Sequence, residues 1–204
     1  NLFSNAKNLT KVTIPNTVKK IGSMSFYGCK SLSSVTLPNT LTEIGYSAFS
    51  RTTALTTISI PKTVTKAGSN VFEDSGLKTA TIENGATAVA DNIFSNAKNL
   101  TKVTIPNTVK KVGSMSFYHC VKLSSVTLPN TLTEIGYSAF NGTTALTTIT
   151  IPKTVTKAGN DVFEDSGLKT ATIENGATTV ADNIFSNAKN LTKVTIPNTV
   201  KKIG

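Results

Sequence analysis

The chain has 204 residues, of which 38% are hydrophobic and none is tryptophan. Its apolar runs are only a few residues long, so no segment has the length needed to span a bilayer. The formal net charge is +10 and the sequence pI is near 9.6. Charge alone would therefore attract nucleic acids, anionic glycans or acidic surfaces. Two cysteines and one histidine leave few groups for metal sites or histidine-based catalysis.

A phenylalanine recurs along the whole chain at an almost constant spacing. The steps between successive phenylalanines are 23, 23, 23 and 22 residues, and the same four steps then repeat. The positions are Phe3, Phe26, Phe49, Phe72, Phe94, Phe117, Phe140, Phe163 and Phe185. Fixed periods of this length are typical of solenoids built from stacked repeats. The sequence therefore predicts one domain, residues 1–204, of about nine coils of 22–23 residues.

Four coils form a longer period of 91 residues. Aligning residues 1–91 with 92–182 leaves 11 differences, and residues 183–204 begin a third copy. A solenoid needs polar caps at its ends, and neither end of this sequence carries one. We expect these residues to be a window on a longer array, so the lack of a leader or anchor in them carries no weight.

The first coil shows what each coil is predicted to do. In Leu9–Ile14, β-branched inward residues alternate with polar outward ones, which favours a half-buried strand. Pro15 has no N–H to donate and ends that strand, and Val18–Ile21 forms a second, shorter extended piece. Gly22 permits a bend. Ser23–Tyr27 is predicted to make one or two helical turns that bury the repeated phenylalanine.

These motifs resemble the BspA-like leucine-rich repeats. The shared pattern is L-x-x-V-x-I-P, then V-x-x-I-G, then A-F or S-F with a cysteine three residues later, and Thr40–Phe49 is the best local match. The resemblance covers every coil and implies a leucine-rich repeat solenoid of α/β type. It also implies an extracellular or cell-surface protein linked to adhesion. No catalytic residues or cofactors are defined for the family, so none are carried over.

Coils four and eight depart from the pattern. They carry Ala80 and Ala171 in the strand, lack the proline, and have one residue fewer between the phenylalanine and the next leucine. We expect both coils to stack with their neighbours, with a local kink.

The outward positions of the main strand form the candidate binding face. They are mostly hydroxyl-bearing, and threonine is also simply a good strand residue that stays hydrated. Lysines interrupt the array and curvature is expected, which argues against an ice-matching plane. The candidate residues are Lys11, Thr13, Ser34, Thr36, Thr57, Ser59, Thr79, Thr81, Lys102, Thr104, Ser125, Thr127, Thr148, Thr150, Thr170, Thr172, Lys193 and Thr195.

The lysines recur every fourth coil and therefore form spaced clusters. Lys11, Lys19 and Lys20 reappear with the 91-residue period. A solubilising surface explains them, and attraction to anionic glycans or an acidic cell surface is the functional alternative. Nucleic acid is disfavoured, because its binders usually combine basic grooves with aromatic and arginine contacts, and Arg51 is the single arginine.

Cys29 and Cys120 occupy equivalent positions four coils apart, about 19 Å at a coil spacing of about 4.8 Å. That separation is too long for a disulfide. The other coils place small residues there, which favours a buried filler over a reactive thiol. His119 stands where the first copy has Gly28, which predicts an exposed, unconstrained position. The acidic residues resemble solvated turns and not a glycosidase pair.

We therefore expect an adhesin-like binding module that engages a protein or glycan on a cell or matrix surface, and not an enzyme. The alternative is a structural spacer, stalk or filament segment, because near-identical blocks can lengthen a spacer without changing its chemistry. Open solenoid ends would offer a route to end-to-end self-association.

Overall fold

Every coil except the sixth contributes one strand to a front sheet, and all nine coils contribute a short strand to a second sheet. The computed structural model describes residues 1–204. The front strands are β1 (Lys11–Thr13), β3 (Ser34–Thr36), β5 (Thr57–Ile60), β7 (Thr79–Ile82), β9 (Lys102–Thr104), β12 (Thr148–Ile151), β14 (Thr170–Ile173) and β16 (Lys193–Thr195). The second-sheet strands are β2 (Lys20–Ile21), β4 (Glu43–Ile44), β6 (Lys66–Ala67), β8 (Ala88–Val89), β10 (Lys111–Val112), β11 (Glu134–Ile135), β13 (Lys157–Ala158), β15 (Thr179–Val180) and β17 (Lys202–Ile203).

All strand pairs are parallel and join equivalent positions of successive coils. Thr57 pairs with Thr79, and Thr79 in turn pairs with Lys102. The sixth coil joins the front sheet by a single bridge between Lys102 and Ser125. The chain is therefore the predicted solenoid, with coils numbered by their front strands.

The alternation of each front strand decides what it buries. In β5 the outward Thr57 and Ser59 are exposed, whereas the inward Ile58 and Ile60 are buried. The inward residues join one continuous cluster of 49 buried hydrophobic residues. Proline then ends most front strands, and coil four, which has Glu83 instead, gains a hydrogen bond from the Glu83 amide to the Ile60 carbonyl (3.0 Å).

The nine phenylalanines stack in one column inside the solenoid. Ring centroids of neighbours lie 5.1 Å apart at Phe26–Phe49 and 6.0 Å apart at Phe163–Phe185. The rings are nearly parallel, which is a favourable offset arrangement for aromatic pairs. Each ring therefore covers the ring of the preceding coil.

The segments around the phenylalanines are turns, and the predicted helical turns are wrong. The amides of Met24, Phe26 and Gly28 donate to carbonyls of the next coil, at 2.8, 2.8 and 2.9 Å. Met24 and Gly28 have positive φ, 55° and 68°, and a right-handed helix cannot contain such residues. We name these segments, from three residues before to three residues after each phenylalanine, the Phe turns.

The short coils four and eight distort the stack as predicted. The rings that flank them are the most tilted, by 24° between Phe72 and Phe94 and by 26° between Phe163 and Phe185. At the same two steps the second sheet opens, because β6 does not pair with β8 and β13 does not pair with β15. The front sheet stays paired there.

The phenylalanine column should dominate stability. Replacing Phe94, which is fully buried, with alanine should lower the free energy of unfolding by about 3–5 kcal/mol. Denaturant unfolding followed by circular dichroism measures this loss. Phe3→Ala is the control, because Phe3 is 39% exposed and should cost much less. Equal losses from the two variants would show that the column is not the main stabilising contact.

Gly76 should tolerate no side chain. A Cβ atom there would overlap the carbonyl oxygen of Thr53 in the preceding coil, and overpacking of this kind typically costs about 1–3 kcal/mol. Gly76→Ala should therefore lower the unfolding midpoint. Gly22→Ala is the matched control, since the added Cβ would meet only the Ser25 hydroxyl at 3.4 Å. An unchanged midpoint for Gly76→Ala would contradict the close approach.

Candidate binding surface

The eighteen predicted residues lie on one face of the solenoid, which we name the front face. Seventeen of them are exposed, and Thr170 is half-buried. Strand register aligns them in two rows along the solenoid. The first row contains Lys11, Ser34, Thr57, Thr79, Lys102, Ser125, Thr148, Thr170 and Lys193, and the second contains Thr13, Thr36, Ser59, Thr81, Thr104, Thr127, Thr150, Thr172 and Thr195.

The front sheet opens at two equivalent places. Strand β3 does not pair with β5, and the coil-six segment around Ser125 does not pair with β12. At a closed step, the amides of Lys78 and Thr79 both donate to the carbonyl of Thr56. The amides of Thr56 and Thr57 make no such bonds to coil two, and those of Thr147 and Thr148 make none to coil six. The two openings are 91 residues apart, so each block carries one.

A groove lies at each opening. The larger groove has a volume of about 510 Å³ and is lined by residues of coils six, seven and eight. The smaller groove has a volume of about 280 Å³ and is lined by residues of coils two, three and four. Small-ligand sites range from about 300 to 1,000 Å³. The walls of the larger groove are formed by outward hydroxyls such as Thr127, Thr148 and Thr150, above an apolar floor that includes Ile149.

The grooves carry little charge. Glu174 is the only charged residue that lines the larger groove, and no charged residue lines the smaller one. The Glu174 carboxylate accepts a hydrogen bond from the Lys153 amide at 2.9 Å. In the first block, Ser59 donates to the equivalent Glu83 at 3.1 Å. The grooves therefore offer hydroxyl donors and acceptors instead of a cationic site.

An added β-strand does not fit between β3 and β5, which flank the smaller groove. Cα atoms of β3 and β5 approach within 8 Å of each other, whereas an inserted strand would need about 9.6 Å, twice the normal spacing. A ligand of the smaller groove therefore lies on the front face and contacts side chains.

Sequence reasoning identified the front face but not its grooves. Every coil repeats the same outward pattern, so the openings have no obvious sequence signature. The one outward difference between the two blocks, Ser59 against Thr150, falls in the grooves. A comparison of the outward residues of the two blocks could have pointed to the coils that carry Ser59 and Thr150. It could not have shown that the front sheet opens beside them.

Both cysteines are free and buried, as predicted for filler residues. The Cys29 thiol donates to the Phe3 carbonyl at 3.0 Å, and the Cys120 thiol donates to the Phe94 carbonyl at 3.1 Å. Burial raises the pKa of both thiols, because it disfavours the thiolate. The thiolate is the reactive form, so both thiols have low reactivity in the folded chain.

His119 is not the unconstrained surface residue that its exchange with Gly28 predicted. It is half-buried, its φ is 52°, and its amide donates to the Asn141 carbonyl at 2.8 Å. Its ring stacks on Tyr118 at 4.2 Å. All nine coils have a positive φ at the equivalent position, and two of them have glycine there, Gly28 and Gly142.

No group of three or more histidine, cysteine, aspartate or glutamate side chains is placed to hold a metal ion. No helix has the length and apolarity of a bilayer crossing.

The model of the BspA-type leucine-rich repeat region matches residues 1–120 and 87–204, in six copies. The chain belongs to the BspA-type leucine-rich repeat family. No functionally curated protein matches the sequence.

Two solved structures of bacterial leucine-rich proteins are similar to this chain over nearly its whole length. A leucine-rich cell surface protein from Faecalibacterium prausnitzii is 26% identical, with a TM-score of 0.56 over 98% of this chain and 62% of its own. A leucine-rich repeat protein from Bacteroides ovatus is 25% identical, with a TM-score of 0.52 over 98% of this chain and 64% of its own. The chain thus spans less than two thirds of either relative.

The buried thiols predict a loss of folding stability at alkaline pH. Their pKa values are raised in the folded state, because burial favours the neutral thiol. The contribution of the neutral thiols to folding stability is therefore complete below the pKa of an unfolded cysteine, about 8.5. That contribution falls as the pH rises further. At pH 8.5, iodoacetamide should label the native chain at least about tenfold more slowly than the chain in urea, because only the unfolded thiols ionise and are accessible.

The Cys29→Ser, Cys120→Ser variant is the control for stability, since Ser75 already fills the same position in coil three. It should lose less stability than the parent chain between pH 8 and 10, as measured by thermal unfolding. Native labelling as fast as labelling in urea would show that the thiols are not protected.

Proposed function

We propose that this chain is an adhesin-like binding module of a cell-surface or secreted protein, and that its front face engages a protein or glycan ligand. The observation that carries the proposal is the pair of equivalent hydroxyl-lined grooves where the front sheet opens. A surface that serves only for solubility needs no such recurring concavity. The F. prausnitzii relative, described as a cell surface protein, supports the location.

The character of the grooves defines the ligand that we expect. Serine and threonine hydroxyls both donate and accept hydrogen bonds, and the near absence of charge disfavours polyanions at these two places. Neutral polar groups, such as sugar hydroxyls or peptide amides, match such walls. Lys11, Lys102 and Lys193 lie in the first row of the front face and add positive charge at intervals along it.

Glutamates placed in both grooves should abolish binding. Saturable binding of the chain to a panel of matrix proteins and neutral glycans, measured by biolayer interferometry at about 0.15 M salt, identifies a ligand. The Thr57→Glu, Thr148→Glu variant should then bind at least about tenfold more weakly, because each carboxylate occupies a groove and requires its own hydration.

Thr65→Glu, Thr156→Glu is the matched control. These two threonines are exposed, are 91 residues apart, and precede second-sheet strands instead of lining a groove, so binding should change by less than about twofold. Equal losses from the two variants would sink the proposal. So would a failure to bind any panel member, and that result would favour the structural spacer.

The spacer has one structural observation in its favour. The phenylalanine column is unbroken through all nine coils, which suits a stiff rod. A spacer needs no recurring groove, however, and this is why we favour the binding module.

A further inference from the structure

The positive charge of the chain is concentrated on one side of the solenoid. Eight lysines lie on or directly before the second-sheet strands, together with two glutamates, so this side carries a net charge of +6 out of the chain's +10. We name this set the basic ribbon. It contains Lys19, Lys20, Glu43, Lys66, Lys110, Lys111, Glu134, Lys157, Lys201 and Lys202.

Most of the acidic residues lie elsewhere. Seven of the eleven belong to the Phe turns: Glu73, Asp74, Asp91, Asp161, Glu164, Asp165 and Asp182. Most acidic residues thus lie outside the basic ribbon. Asp91 borders it, where a hydrogen bond to Glu134 and, to a smaller extent, the charge of Asp91 raise the pKa of Lys111. Solubility alone does not require the positive charge to be concentrated on one side. Such a concentration would, however, attract an elongated, negatively charged partner.

Strand pairing lines up the outward residues of the ribbon. Lys20 pairs with Glu43, and Glu43 pairs with Lys66. The second block repeats this order with Lys111, Glu134 and Lys157. Within each block, successive lysines are therefore two strand spacings apart, about 10 Å. Glu43 forms an ion pair with Lys20 at 2.7 Å, and Glu134 forms one with Lys111 at 2.8 Å. Lys66 and Lys157 are therefore left without ion pairs.

The lysine spacing selects the partner. A DNA duplex carries one charge per about 1.7 Å of its axis, so lysines about 10 Å apart would neutralise only a small share of it. The ribbon also has no arginine or tryptophan for base contacts. A linear polysaccharide with one carboxylate on every second sugar ring has a charge repeat of similar length to two strand spacings.

We propose that the basic ribbon binds a linear acidic polysaccharide that runs along the solenoid axis. Lysine ammonium groups are point charges that accept many carboxylate orientations, so binding depends on charge spacing more than on sugar identity. This site lies on a different side of the coil from the front-face grooves. Its partner can therefore be present whether or not the front face binds its own ligand.

Hyaluronan oligosaccharides are the probe, since they carry one carboxylate per disaccharide. A decasaccharide has five carboxylates and can contact lysines of both blocks, whereas a tetrasaccharide has two and can contact those of one block only. The decasaccharide should therefore bind more tightly in calorimetry at low salt. The Lys19→Gln, Lys66→Gln, Lys157→Gln variant should bind the decasaccharide at least about tenfold more weakly, and addition of salt should weaken the parent complex.

Lys11→Gln, Lys102→Gln, Lys193→Gln is the matched control, because it removes three charges from the front face. It should change the affinity by less than about twofold, and so should Thr57→Glu, Thr148→Glu. Circular dichroism and the melting midpoint confirm that every variant is folded.

Three outcomes would overturn the proposal. The first is equal weakening by both lysine variants, which would mean diffuse attraction to the whole chain. The second is no binding of the decasaccharide at low salt. The third is tighter binding of duplex DNA or of phosphatidylserine vesicles than of the decasaccharide at the same salt concentration, which would identify a different occupant of the ribbon.

Discussion

Contact between successive coils is the interaction on which the rest of this structure depends. A single coil of 22 or 23 residues buries almost nothing by itself, because its strands are two to four residues long. Stacking supplies the missing partners, since each phenylalanine covers the next and alternate amides of a Phe turn donate to the following coil. Each coil is therefore held in its folded conformation by the coils on either side, as expected for repeat proteins in which each unit contacts only its neighbours.

The two sheets open at different steps, and this keeps the stack continuous. The front sheet opens between coils two and three, where β4 and β6 remain paired. The second sheet opens one step later, where β5 and β7 remain paired. Because each interruption is spanned by the other sheet, the solenoid can present grooves on its front without losing register in its core.

Much of the fold could be predicted from the sequence, because periodic burial leaves a periodic pattern. The front strands, the phenylalanine column and the exposure of residues such as Thr13 and Thr104 all follow from alternation and spacing. The Phe turns could not be predicted so easily. Residues such as Ser25 and Phe26 are compatible with a helix, and only the hydrogen bonds to the next coil impose positive φ at Met24 and Gly28. The grooves and the basic ribbon depend on pairing between coils, which no single coil reveals.

The 91-residue block has a consequence for avidity. Each block adds one front groove and one Lys–Glu–Lys segment to the array, in the same orientation as the last. A ligand with repeated epitopes would therefore meet sites at a fixed pitch, and each engagement after the first would be intramolecular, with a high effective concentration. Duplication of a block would raise the strength of attachment to such a ligand without a new contact, and loss of a block would lower it.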